Sequence, residues 1–132
     1  MKFSTRATYG LRLCFLLACA PERLSLTVLA DRTDISKKYS EQILGMLRRG
    51  GIIVAERGQS GGYKLSRPAE EITLKQILVA LDDAPDIADC AVGRCSDKYC
   101  PNKGVFQSIY AAIDELTSEM TLQKMIDQYK CV

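Results

Sequence analysis

The segment GGIIVAERGQSGGYKLSRP, residues 50–68, constrains the fold of this chain more than any other stretch. Ile52 and Val54 alternate with Ile53 and Ala55, and Tyr63 and Leu65 alternate in return. That period predicts two short strands around a glycine-rich tip. Gly58, Gly61 and Gly62 allow the positive φ angles a hairpin tip needs, and Arg57 and Lys64 flank the tip with charge. A phosphate-binding loop is the competing reading. It fails because no Gly-Lys-Ser/Thr follows and no helix begins at the glycines. An ordinary hairpin with no ligand stays open until its neighbours are considered.

Those neighbours are helical. A first helix is expected over roughly residues 5–20, with Ala7, Leu11, Cys14, Phe15 and Ala18 on one face. Ser25 can cap a second helix carrying Leu26, Leu29 and Ala30, and Ser36 a third that runs to about Arg49. In the third, Ile43, Leu44 and Leu47 point inward, while Lys37, Lys38, Glu41 and Gln42 lie mainly outward. Two short helices joined by a tight turn match a helix-turn-helix, and a basic hairpin directly after them makes it a winged helix.

Further along, Ile72 to Leu81 reads as a helix with Leu74, Ile77, Leu78 and Leu81 inward. Pro85 and the four aspartates between Asp82 and Asp89 open a loop. From about Lys103 the chain is helical again, and Phe106, Ile109, Ile113, Leu116 and Met120 repeat at the spacing of a coiled-coil seam. We read this stripe as a homodimer interface, with packing on its own domain as the alternative. Thr121 can cap a final short turn with Leu122, Met125, Ile126 and Tyr129. The expected fold is mostly α with a small β-hairpin wing: a winged helix-turn-helix plus a long C-terminal dimerisation helix. The organisation is a DNA-binding domain over residues 1–84, a cysteine-bearing sensor loop over 85–102, and the dimerisation helix with its C-terminal turn over 103–132.

Charge separates along the same lines. Residues 1–67 carry 12 Lys/Arg against 5 Asp/Glu, or +7, and residues 68–132 carry 6 against 11, or −5. A basic first half suits an anionic partner, double-stranded DNA first among them. The start, MKFSTRATYGLRLCFLLACAPE, has a basic head and an apolar run, but Arg12 leaves only Leu13 to Ala20 uninterrupted. That is short of a membrane span and fits an amphipathic helix better than a signal. A cytoplasmic protein without a membrane partner is expected, where clustered thiols serve metal binding or redox chemistry. Cys14 and Cys19 are read as small core or surface residues of the first helix.

The strings KFSTRATYGLRL, LADRTDISKKYSEQIL and RGQSGGYKLSRPAEEITLKQIL, followed by spaced cysteines, resemble the family of small dimeric bacterial regulators that includes IscR, NsrR and CymR, the Rrf-two family. The resemblance covers nearly the whole chain. Tyr39-Ser-Glu-Gln42, Arg57-Gly58 with Gly61-Gly62-Tyr63, and Pro68 with Glu71-Ile-Thr73 carry it most specifically. It implies a winged-helix repressor or activator that binds a pseudo-palindromic operator as a homodimer. Ser36, Lys38 and Gln42 match positions that face DNA, with Gln42 suited to adenine and Lys38 to guanine or phosphate. Arg57 matches a wing residue that enters the minor groove. Lys37, Tyr39, Gly58, Ser60 and Gly61 complete the expected DNA-binding set.

The resemblance also implies that Cys90, Cys95 and Cys100 hold an iron–sulfur cluster, 2Fe–2S in preference to 4Fe–4S. The best-known members space these cysteines more widely and add a histidine just after the third. Here the gaps are four residues each, and the chain has no histidine. Other relatives take an acidic ligand from the partner's first helix, but TRATYGLR offers no carboxylate. The fourth ligand is unassigned, with Cys131, another carboxylate or a small thiol as candidates. Zinc is less suited, since no close C-x-x-C pair is present. A metal-free thiol switch is the main alternative, with Arg94, Lys98 and Lys103 placed to lower thiol pKa values and Asp89 and Asp97 opposing them. A small electron-transfer protein is the alternative from a different class. No nucleophile–base pair or nucleotide fingerprint supports an enzyme.

Overall fold

A computed structural model describes residues 2–84, 91 and 93–131. The elements follow in the order α1 (Thr5–Cys19), α2 (Leu26–Thr33), α3 (Lys37–Arg49), β1 (Ile53–Glu56), β2 (Gly62–Leu65), a 3-10 turn (Ala69–Glu71), α4 (Leu74–Ala80), α5 (Asn102–Glu119) and α6 (Leu122–Tyr129). None of the described helices is long and apolar enough to cross a membrane.

Hydroxyl side chains set most helix starts. Ser4, Ser25, Ser36 and Thr121 each accept a hydrogen bond from the backbone N–H three residues on, satisfying a donor that the first turn leaves unpaired. Thr73 does the same for α4 within a capping box, in which the Gln76 side chain accepts from the Thr73 amide. The expected caps Ser25, Ser36 and Thr121 are therefore present. Asp34 ends α2 in the left-handed conformation (φ 56°), and the chain turns at once into α3, giving the helix-turn-helix.

The core gathers Leu13, Cys14 and Leu17 from α1, Leu29 from α2, and Ile43, Leu44 and Leu47 from α3. Ile52, Ile53, Ile72, Ile77 and Leu81 join them. So does Leu122, the first residue of α6, because α6 returns to lie against α1 and the 3-10 turn. The return is fixed by main-chain bonds from Leu122 N–H to Ile72 C=O (3.0 Å) and from Leu74 N–H to Met120 C=O (2.8 Å). At the other end of α4, Arg6 donates to the carbonyls of Leu81 (2.6 Å) and Asp82 (3.2 Å), and Ser4 N–H donates to the Asp83 carboxylate (3.0 Å).

Two strands form the antiparallel wing, pairing Ile53 with Leu65, Val54 with Lys64, Ala55 with Tyr63 and Glu56 with Gly62. The expected alternation is not seen in the burial of β1: Val54, Ala55 and Glu56 are all exposed after two buried residues. Ile52 and Ile53 are both buried, because Ile52 N–H still bonds Leu47 C=O and belongs to the turn out of α3. At the base of the hairpin, Arg67 donates to Gly51 C=O, Glu71 C=O and the Gln76 side chain, joining the wing to the capping box of α4.

Candidate nucleic-acid interface and cysteine loop

Helix α3 and the wing form the two sides of a cleft of about 360 Å³, lined by Glu41, Gly45 and Arg48 from the helix and Ala55, Glu56, Arg57, Gly62 and Tyr63 from the hairpin. Lys37, Lys38 and Gln42 stand exposed on α3 outside that lining. Lys38, Gln42 and Gly45 follow the i, i+4, i+7 rule and so share one side of the helix. Ser36 is exposed at the N-cap, with its oxygen engaged by Tyr39 N–H at 3.0 Å. Tyr39 is half-buried, its ring edge-on to Tyr9 with centroids 6.2 Å apart, which ties the start of α3 to α1. Arg57, Gly58 and Ser60 are exposed at the wing tip, and Gly61 is half-buried there, its N–H bonded to Gly58 C=O.

The wing is also seated from behind. Leu24 and Tyr63 exchange main-chain hydrogen bonds, and Arg23 pairs with Glu56 at 2.5 Å, so the α1–α2 linker acts as a third rail of the hairpin. Tyr9, Arg23 and Arg48 are not among the residues expected from the sequence to build this face. The signals were weak: Arg48 repeats Glu41 seven positions on, and Leu24 precedes a helix cap.

In the cysteine loop, Cys95 and Cys100 are free, half-buried thiols. Cys90 lies outside the described residues. Between the two, Tyr99 N–H donates to the Asp97 carboxylate at 2.9 Å, folding the chain before α5. Cys100 sits just ahead of that helix, and its carbonyl accepts from Lys103 N–H in the first turn at 3.3 Å. No group of three metal-ligating side chains occurs among the described residues.

The remaining cysteines correct the sequence reading. Cys14 is a core residue, and burial pushes its thiol up to about 12. Cys19 is not simply a core or surface residue of α1: it forms a disulfide with Cys131, with Cα atoms 5.4 Å apart. Cys131 is therefore not available as a fourth cluster ligand in this form, a pairing across 112 residues that no local pattern announces.

On α5 the apolar stripe divides. Phe106 and Ile113 are half-buried on the side that includes buried Thr117, and Met120 is the half-buried C-cap. Ile109 and Leu116 are exposed, together with Val105. Helix α5 lies against α4, where Lys75 pairs with Asp114 at 2.6 Å, and this hydrogen bond and charge raise the Lys75 pKa.

A helix-turn-helix with an attached β-hairpin, basic on its exposed side, defines a winged-helix regulator of the DNA-binding class. The chain belongs to the Rrf2 family: the family model described as "Iron-dependent Transcriptional regulator" matches residues 3–128. It is a regulator of transcription rather than an enzyme. Among curated relatives, the HTH-type transcriptional regulator IscR of Cereibacter sphaeroides is 39% identical over 97 residues, 70% of this chain and 63% of that one. Among solved structures, CymR, the global cysteine regulator of B. subtilis, superposes with a TM-score of 0.84 at 26% identity, covering 97% of this chain and 98% of that one. IscR of T. potens gives 0.79 at 28% identity, covering 97% and 88%.

Proposed function

We propose that this protein is a cytoplasmic, homodimeric regulator that binds a pseudo-palindromic DNA operator, with its affinity set by an iron–sulfur cluster on Cys90, Cys95 and Cys100. The observation that carries the reading is a loop of three thiols between the winged domain and α5, in a chain similar to IscR over most of its length. The donor chemistry fits: Cys95 and Cys100 are unpaired thiols, and thiolates are the usual cluster ligands. Bound there, a cluster supplies a redox-active, oxygen-sensitive group between the DNA-reading and dimerising parts. The chain's own contribution is to supply thiol ligands from the segment that precedes α5. Ser36, Lys37, Lys38, Tyr39 and Gln42 with Arg57, Gly58, Ser60 and Gly61 form the DNA-reading face.

Dimerisation is supported by the exposed Val105, Ile109 and Leu116 on α5 and by an apolar groove of about 600 Å³ on the same protomer. Phe3, Leu11, Phe15, Leu78 and Met125 line that groove, which a second copy would cover. Burying both surfaces in one contact removes exposed apolar area from water. Operators with two half-sites need two recognition helices, so the dimer is the DNA-binding unit.

A metal-free thiol switch is the second reading, favoured by the similarity to CymR along almost the full chain and by the absence of histidine as a fourth ligand. Anaerobic reconstitution with iron and sulfide separates the two. Uptake of both by the wild type, and loss of the visible chromophore in each Cys→Ala variant of the loop, is the expected result. No uptake, or a chromophore retained in all three variants, transfers the sensing role to the thiols themselves.

A further inference from the structure

We propose that Cys19 and Cys131 form a reversible redox latch, separate from the loop cysteines, that locks α6 onto α1 and reports to the wing. Cys19 is the last residue of α1 and half-buried; Cys131 is exposed, just beyond α6. Lys130, between α6 and Cys131, adopts φ 57° and ψ 142°, a combination a residue with a side chain rarely holds. Its N–H still bonds Ile126 C=O, so the turn toward Cys19 is made at this one residue. Opening the disulfide lets Lys130 relax, and Cys131 is an exposed residue, on the side from which an exchanging thiol can approach.

The latch has two outlets. Helix α6 anchors the start of α4 through the paired segments Ile72–Leu74 and Met120–Leu122. The end of α1 runs within five residues into Leu24, whose N–H and C=O both bond Tyr63 of the wing. Oxidation removes two protons and two electrons from the thiols. With a hydroperoxide, the Cys131 thiolate attacks the peroxide and becomes a sulfenic acid as the alcohol or water leaves. Cys19 then displaces water to form the S–S bond. A dithiol reductant reverses this through a mixed disulfide and is itself oxidised. Cys14, buried in the core with its thiol protonated, takes no part.

The test uses the full chain with Cys90, Cys95 and Cys100 all changed to Ala, so that neither iron nor the loop thiols contribute, and needs no DNA. After reduction, stoichiometric hydrogen peroxide is expected to yield the Cys19–Cys131 cross-linked peptide, reversed by a dithiol. Amide hydrogen exchange in α6 and at Leu24 and Tyr63 should be about tenfold or more faster in the reduced form. Cys131→Ser in the same background should show the fast exchange under both conditions. Failure to recover the cross-linked peptide, exchange independent of redox state, or a response in α6 with Leu24 and Tyr63 unmoved would each overturn the latch. None of these outcomes bears on cluster or operator binding.

Discussion

Leu24 and Tyr63 bond each other twice through the main chain, Leu24 N–H to Tyr63 C=O at 3.0 Å and Tyr63 N–H to Leu24 C=O at 2.8 Å. Strand β2 is thus held on one side by β1 and on the other by the α1–α2 linker. Gly62 makes this seat possible: it has φ 153°, and a Cβ there would lie 2.6 Å from the Leu24 carbonyl oxygen. Gly62→Ala is therefore expected to cost about 1–3 kcal/mol and to lift the wing from Leu24. Denaturant unfolding together with amide exchange at Leu24 and Tyr63 checks this. Wild-type values in both would mean that the seat tolerates a side chain.

Cys14 gives a pH signature. Burial raises its thiol from 9.0 to about 12, so between these values the unfolded chain releases a proton that the native state keeps. The contribution is intact below pH 9 and falls by about 1.4 kcal/mol per pH unit above it. Cys14→Ala removes this term and leaves a small cavity. The cost of the substitution, measured by denaturant unfolding, should be largest near neutral pH and shrink steadily above about pH 9. A cost independent of pH would contradict a thiol held protonated by burial.

Ile109 and Leu116, 43% and 62% exposed, test the dimer without attacking the protomer's own packing. Ile109→Glu or Leu116→Glu places a charge in the proposed interface, where it is costly to bury without a partner. Sedimentation should show a folded monomer for the variants and a dimer for the wild type. A monomeric wild type at micromolar concentration, or dimeric variants, would contradict the interface.

The division of α5 shows where sequence periodicity stops being informative. Phe106, Ile109, Ile113 and Leu116 fall within one broad apolar stripe, but such a stripe can be wide enough to meet two neighbours at once. Phe106 and Ile113 turn toward their own protomer's side of the helix and Ile109 and Leu116 away from it, which only the packed structure reveals. Caps behaved differently. Ser25, Ser36 and Thr121 were legible because a hydroxyl bonds a backbone N–H three residues away, a purely local interaction. The winged helix followed from such local signals in series. The Cys19–Cys131 pair and the burial of Leu122 did not, since both depend on the chain returning across more than a hundred residues or onto a core already formed by others.

On the reading face, Lys38 and Arg57 are exposed, one on α3 and one at the wing tip. Lys38→Ala or Arg57→Ala should leave the fold intact and weaken binding to a selected duplex by about 1–3 kcal/mol where the side chain reads a base. Loss of a side chain that contacts only phosphate should instead lower the salt dependence and affect all sequences alike. Titration by fluorescence anisotropy at several salt concentrations distinguishes these, and unchanged affinity in both folded variants would remove the assignment.

Control of that face by the cysteine loop is read from one pair of titrations. A duplex enriched from a random library by the wild-type protein is titrated anaerobically, at fixed salt, with the iron- and sulfide-loaded protein and with the same preparation stripped of both. Coupling between two sites in one protein is typically about 1–3 kcal/mol, so the two affinities should differ by about five- to 150-fold. The difference should vanish when Cys90, Cys95 and Cys100 are changed together to Ala. Equal affinities for a fully loaded and a fully stripped wild type would contradict control of DNA binding by a cluster in this loop.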